Sequence, residues 1–108
     1  MAATTHRLWV KRFVLPFIDD GSKDLEVRVS SGALKKVQIG DIIIFNNTCR
    51  RRVKAIRKYP SFDEMINKED STRIFPRANQ QQLLDGLRQI YGTRDRQHGV
   101  IVFKLKQP

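Results

Sequence analysis

The amino-acid sequence predicts an α+β domain, or a small β-barrel decorated with helices, on three observations. Leu25, Val27 and Val29 alternate with Asp24, Glu26 and Arg28, the period of a strand with one apolar and one charged face. Ile42, Ile43 and Ile44 form a continuous apolar run, as in a strand buried on both sides. Leu83, Leu84, Leu87, Ile90 and Tyr91 recur at helical spacing. Strand signals therefore stand on both sides of helical ones. With 108 residues and 40% hydrophobic content, the chain suffices for one core and is too short for two domains. The expectation is an N-terminal tail over residues 1–5 and a single domain over 6–108.

In chain order, a first strand is expected over His6–Val10, where Leu8 and Val10 alternate with polar or aromatic neighbours. Phe13 with Phe17, and Val14 with Ile18, lie four apart, which places two apolar pairs along one side of a short helix. Gly21 would end that helix, with Pro16 in its first turn. Ser30, Ser31 and Gly32 close the alternating strand, and Val37–Gly40 leads into a strand over Asp41–Phe45. Asn46 and Asn47 tolerate turn backbone, so a hairpin should connect it to a partner strand over Cys49–Tyr59. Pro60 and Ser61 followed by Glu64 fit a capping box that opens a short helix, with Phe62, Met65 and Ile66 on one face. Gly92 stops the next helix, and Gly86 inside it costs about 1 kcal/mol relative to alanine, a cost that close packing would explain. Val100–Leu105 reads as the closing strand.

Lys and Arg number 21 against 11 Asp and Glu, a net charge of +10, so the surface field favours polyanions, with nucleic acid first among them. Charge serving solubility alone is the competing reading. The densest cluster is Arg50, Arg51, Arg52, Lys54, Arg57 and Lys58, a ridge able to attract phosphates. Arg50, Arg52, Lys54 and Lys58 would share one side of a strand only without a bulge, and Ile56 in the same phase hints at one. Protection of an edge strand by charge is the alternative role. Trp9 and Tyr59 are the candidates for stacking on bases, while Phe62 and Tyr91 sit at core-like spacings. The lone Cys49 and the separated His6 and His98 make neither a disulfide nor a four-ligand zinc site, and both histidines default to surface or turn positions. No metal or cofactor is expected, since glycine-rich phosphate loops, nucleophile elbows and metal-binding helix motifs are missing from the sequence. Without a bilayer-length apolar run or signal region, an intracellular protein, cytoplasmic or nuclear, is expected, with no membrane partner.

Gly21, Lys23, Glu26 and Arg28 gather opposite charges in eight residues, either a solvated strand face or a site in which Glu26 and Arg28 pair with each other or with a ligand. This spacing resembles the G-x-K-x-x-E-x-R signature of the ASCH family, small domains of the PUA-like superfamily. The resemblance extends to the apolar helix ahead of the signature, to Gly40-Asp41-Ile-Ile-Ile-Phe45 and to the closing strand at Gly99 to Lys104, and so covers nearly the whole chain. It implies a small PUA-like β-barrel flanked by short α-helices, with the signature lining a cleft beside the barrel. ASCH relatives are credited with RNA binding, with deacylation of N4-acetylcytidine in one bacterial branch and with RNA cleavage in another, so the fold leaves function open. The deacylase branch pairs the signature lysine with a threonine three residues later and with a glutamate ahead of the helix ending here at Tyr91. This chain has Glu26 at the threonine position, and Glu69 and Asp70 are the nearest acids to the second.

The leading expectation is an RNA-binding module in which the signature cleft holds a nucleotide and the Arg50–Lys58 ridge holds flanking phosphates. Lys23 and Arg28 would meet anionic or carbonyl oxygens, and Glu26 would accept from a base edge or orient Arg28. The alternative is an enzyme, an amidohydrolase on a modified cytidine or a ribonuclease, in which Lys23 and Glu26 would be the catalytic pair. A module that docks an acidic protein on the basic face is the third reading.

Overall fold

The computed structural model describes residues 2–108, and a single curled sheet organises it. In chain order the strands are β1 (Thr5–Leu8), β2 (Leu25–Val29), β3 (Ile42–Phe45), β4 (Cys49–Tyr59) and β5 (Val100–Lys106). In space they run β1-β3-β4-β5-β2, a half-barrel whose two edges are β1 and β2. β1 and β3 are parallel, and every other pair is antiparallel. Five short helices complete the α+β domain: α1 (Leu15–Asp19), α2 (Phe62–Ile66), α3 (Ser71–Ile74), α4 (Gln80–Tyr91) and α5 (Arg94–His98). Among the described residues no helix is long and apolar enough to cross a membrane.

β5 shows how the core divides. Its alternate residues Val100 and Val102 join Leu25, Val27 and Val29 of β2 under Phe62, Met65, Leu83 and Leu87 of α2 and α4. Ile101, Phe103 and Leu105 face the other way, onto Ile43, Phe45, Val53 and Ile18. One strand thus serves two apolar clusters, which is why it reads as a nearly unbroken hydrophobic run.

Several boundaries differ from the sequence expectation. The first strand lies at Thr5–Leu8 rather than His6–Val10, because the Val10 N–H and C=O bond the side chain of Asn46 instead of extending the ladder. The helix read between Phe13 and Gly21 contracts to α1, with Pro16 in its first turn as expected, and leaves Phe13 exposed. Asn46 and Asn47 both take positive φ, 52° and 58°, at the centre of a tight turn closed by the Thr48 N–H on the Phe45 carbonyl, in a three-residue connection between β3 and β4. The hinted bulge in β4 exists: register shifts between Val53 and Ala55, so Lys54 has no partner on β5 and the facing of side chains flips there. At α2 the Ser61 side chain accepts from the Glu64 N–H, while the reciprocal capping box stands at the start of α4 instead, through Asn79 and Gln82. A 3-10 turn over Gly32–Lys36, α3 and α5 were not anticipated. Gly86 has no close-packing role, since nothing lies within 4 Å of where its Cβ would stand.

Candidate functional site

Beside the open edge of β2 lies a cleft of about 960 Å³, walled by the Trp9–Val14 segment, the turn after α3 and one side of α4. Its lining is mostly apolar and aromatic, with Trp9, Phe13, Phe17, Phe75 and Tyr91 contributing rings. Phe75 packs edge-on against Phe13 and Phe17, with ring centroids 6.1 and 5.8 Å away. Trp9, Phe13 and Ile90 are more than half exposed, so an apolar surface flanks the mouth.

The signature residues form the charged part of the wall. Gly21 takes the left-handed conformation that turns the chain from α1 toward β2 (φ +83°). Its carbonyl accepts from Arg73, which also pairs with Asp24, so α3 is tied to the signature turn. Burial alone would raise the Asp24 carboxyl, but Arg73 and Lys104 together hold it below the usual carboxylate range. Lys23 and Glu26 are each only 5% exposed, which excludes a solvated face. The Lys23 Nζ donates to the carbonyls of Leu25 and Ile74 at 2.7 Å each and stands 3.4 Å from Glu26 Oε1. Glu26 Oε2 lies 3.4 Å from the Arg28 guanidinium, which donates to the Trp9 carbonyl at 2.8 Å.

These distances assign different capacities. All three Lys23 N–H directions meet acceptors, so its ammonium is engaged in binding β2 to α3. Glu26 makes both contacts at the outer limit of hydrogen bonding and retains room for a shorter bond from a ligand donor. Arg28 is half-buried and lines the cleft with donors to spare. Glu26 is the one carboxylate in the lining among the described residues, and no histidine joins it. The two acids weighed for a second catalytic carboxylate lie elsewhere. Asp70 caps α3 by accepting from Thr72, and Glu69 accepts from Arg57 and Tyr59. Among the described residues no group of three His, Cys, Asp or Glu is gathered so as to hold a metal ion.

The basic ridge is dispersed by the bulge and by internal contacts. Arg51 is buried and donates to the carbonyls of Ile18 and Asp19 at the end of α1. Arg57 forms a two-pronged pair with Glu69 at 2.6 and 2.7 Å, and its guanidinium draws the Glu69 carboxyl below its usual value. Arg52 donates to the Gly40 carbonyl. Arg50, Lys54 and Lys58 remain exposed. Register sets Arg28, Ile101 and Lys58 in one row across β2, β5 and β4, which puts Lys58 about 10 Å from Arg28 on the same face of the sheet. Lys58 and Lys35 border a second, smaller hollow of about 400 Å³.

Of the proposed stacking pair, Trp9 stands at the cleft mouth, 62% exposed. Tyr59 is outside the cleft: its ring packs on the helix-covered core and its hydroxyl donates to Glu69. Tyr91, read as a core residue, packs on Phe62 and also lines the cleft; burial pushes its hydroxyl pKa up. His6 is no plain surface residue, since its Nε2 sits 2.8 Å from Asp41 Oδ2 and this bond lowers the Asp41 carboxyl. His98 is exposed at the end of α5.

No family model and no curated protein matches the chain. Among solved structures, the crystal structure of hypothetical protein PH0355 superposes with a TM-score of 0.90 at 27% identity, covering 95% of this chain and 98% of that one. The solution structure of protein PF0455 from Pyrococcus furiosus gives 0.80 at 25% identity, over 95% and 96%. The crystal structure of ASCH from Zymomonas mobilis gives 0.63 at 18% identity, over 96% of this chain and 68% of that one, a likeness of fold. The curled five-stranded sheet, its flanking helices and these superpositions together give the chain an ASCH-type fold, a small PUA-like half-barrel.

Proposed function

We propose that this chain is an RNA-binding module that takes one unpaired nucleotide into the cleft beside β2. The observation that carries the reading is an aromatic-lined cleft roomy enough for a nucleotide with the Glu26–Arg28 pair set in its wall. Single-stranded RNA offers splayed bases that stack on aromatic rings and expose hydrogen-bonding edges, and this lining supplies partners for both. Trp9 and Tyr91 provide the ring surfaces. Arg28 contacts a carbonyl or phosphate oxygen, Glu26 holds Arg28 or accepts from a base amine, and Lys23 keeps the wall in shape. Lys58 and Lys35, reached along the row from Arg28, receive flanking phosphates, with net charge +10 favouring the approach. Binding is preferred to deacylation or strand cleavage because the engaged Lys23 and a single lining carboxylate leave no separate acid and base.

Calorimetric titration with short single-stranded RNA tests the proposal. Arg28→Ala should weaken binding at least tenfold, the order expected for losing a hydrogen bond to a charged group in a dry site. Unchanged affinity in a folded Arg28→Ala protein removes the cleft from the binding surface.

A further inference from the structure

The free edge of β2 holds a feature that the side chains do not reveal. The Leu105 N–H donates to the Asp24 carbonyl and the Ser30 N–H to the Gly99 carbonyl, at the two ends of the β2–β5 ladder. In an antiparallel pair hydrogen-bonded positions alternate, so Glu26 and Arg28 carry the bonds to β5, while Leu25, Val27 and Val29 turn their N–H and C=O outward. β2 is an edge strand, so no strand receives them. α3 covers the beginning of that edge, where the Arg73 carbonyl accepts from the Asp24 N–H and Lys23 donates to the Leu25 carbonyl. Val27 comes next, lines the cleft and is 4% exposed, and its N–H and C=O find no partner among the described residues. Buried backbone groups are almost always paired.

We propose that the Val27 backbone is the base-reading element of the cleft and that it selects a ring with an imide edge, as in uracil. This rests on the nucleotide-binding reading above and adds which base the site takes. Val27 and Arg28 both line the cleft, and taken in chain order they offer the outward Val27 N–H as donor, the Val27 carbonyl as acceptor and the Arg28 guanidinium as donor. The complement is acceptor, donor, acceptor, which uracil offers as O4, N3–H and O2. Cytosine turns a ring nitrogen without hydrogen and a carbonyl toward the same wall, leaving the Val27 carbonyl facing an acceptor. Guanine sets its amino group against Arg28. Of the three outward positions only Val27 belongs to the cleft lining, with the Leu25 carbonyl already taken by Lys23, so what the cleft offers suits a single heterocycle rather than an added peptide strand, which needs several successive outward pairs.

The probe is a set of nucleoside 5′-monophosphates titrated into the isotope-labelled protein, with amide shifts and hydrogen exchange as readouts. Uridine monophosphate should bind at least tenfold tighter than its 3-methyl derivative or the cytidine counterpart, and should slow exchange of the Val27 amide. Equal binding of uridine and 3-methyluridine monophosphates, with Gly86 and Trp9 signals shifting but Val27 unmoved, overturns the assignment and leaves nucleotide binding in the cleft standing. If no nucleotide shifts any cleft residue, both the assignment and the reading beneath it fail.

Discussion

Lys23 joins two stretches of chain that are 51 positions apart, through the carbonyls of Leu25 and Ile74, and faces Glu26 as well. Removing that ammonium leaves two buried carbonyls and a buried carboxylate short of partners, each worth about 1–3 kcal/mol when orphaned. Lys23→Met should therefore lower unfolding free energy by about 3 kcal/mol in urea titrations, whereas a lysine serving only to meet a ligand would leave the midpoint in place. The residue types here were legible as a spaced G-x-K-x-x-E-x-R pattern. Their burial was not, because the partner of Lys23 comes from α3, four residues whose only sequence mark is the cap at Asp70. The unpaired backbone of Val27 was equally hidden. It depends on β2 being an edge and on which ladder positions bond, and neither is written in side-chain periodicity.

α4 supplies one side of the cleft and contains the residue that best separates stability from binding. Gly86 keeps ordinary helical backbone, and a Cβ built there meets nothing within 4 Å, so a side chain at this position enters the cleft without disturbing the core. Glycine inside a helix costs about 1 kcal/mol relative to alanine. Gly86→Ala should raise stability by up to that amount, and Gly86→Leu should stay folded while losing nucleotide binding in calorimetry. Retained affinity in Gly86→Leu places the ligand elsewhere. α4 was readable from the sequence because it repeats the helical period over three turns, β2 because five residues hold two full strand alternations, β5 as an apolar run and β4 as the partner that the Asn46–Asn47 turn implies. α5 and the 3-10 turn are also five residues long, but that is under two helical turns, too short for a helical period to register. The bulge in β4 was legible only as Ile56 falling out of phase with its charged neighbours, yet it decides the fate of the ridge: beyond Lys54 the strand faces are exchanged.

At the scale of the whole molecule, a net charge of +10 attracts any polyanion, but the distribution of engaged and exposed cations sets how binding responds to salt. Each phosphate neutralised on a single strand contributes about −0.7 to the slope of log affinity against log salt. Six ridge cations would permit a steep dependence if all faced solvent. Arg51 is committed to the end of α1, Arg57 to Glu69 and Arg52 to Gly40, which leaves Arg50, Lys54 and Lys58 exposed. The three together can supply about −2. Of these, Lys58 shares a row and a face with Arg28, whereas the bulge gives Lys54 no partner on β5. Lys58→Ala should thus flatten the slope for single-stranded RNA by about 0.7, measured by fluorescence anisotropy over a salt series. Arg57→Ala should leave the slope alone and instead destabilise the fold, because it deprives the buried Glu69 carboxylate of its guanidinium. A slope unchanged by Lys58→Ala, or flattened by Arg57→Ala, would show that RNA tracks the other face of β4.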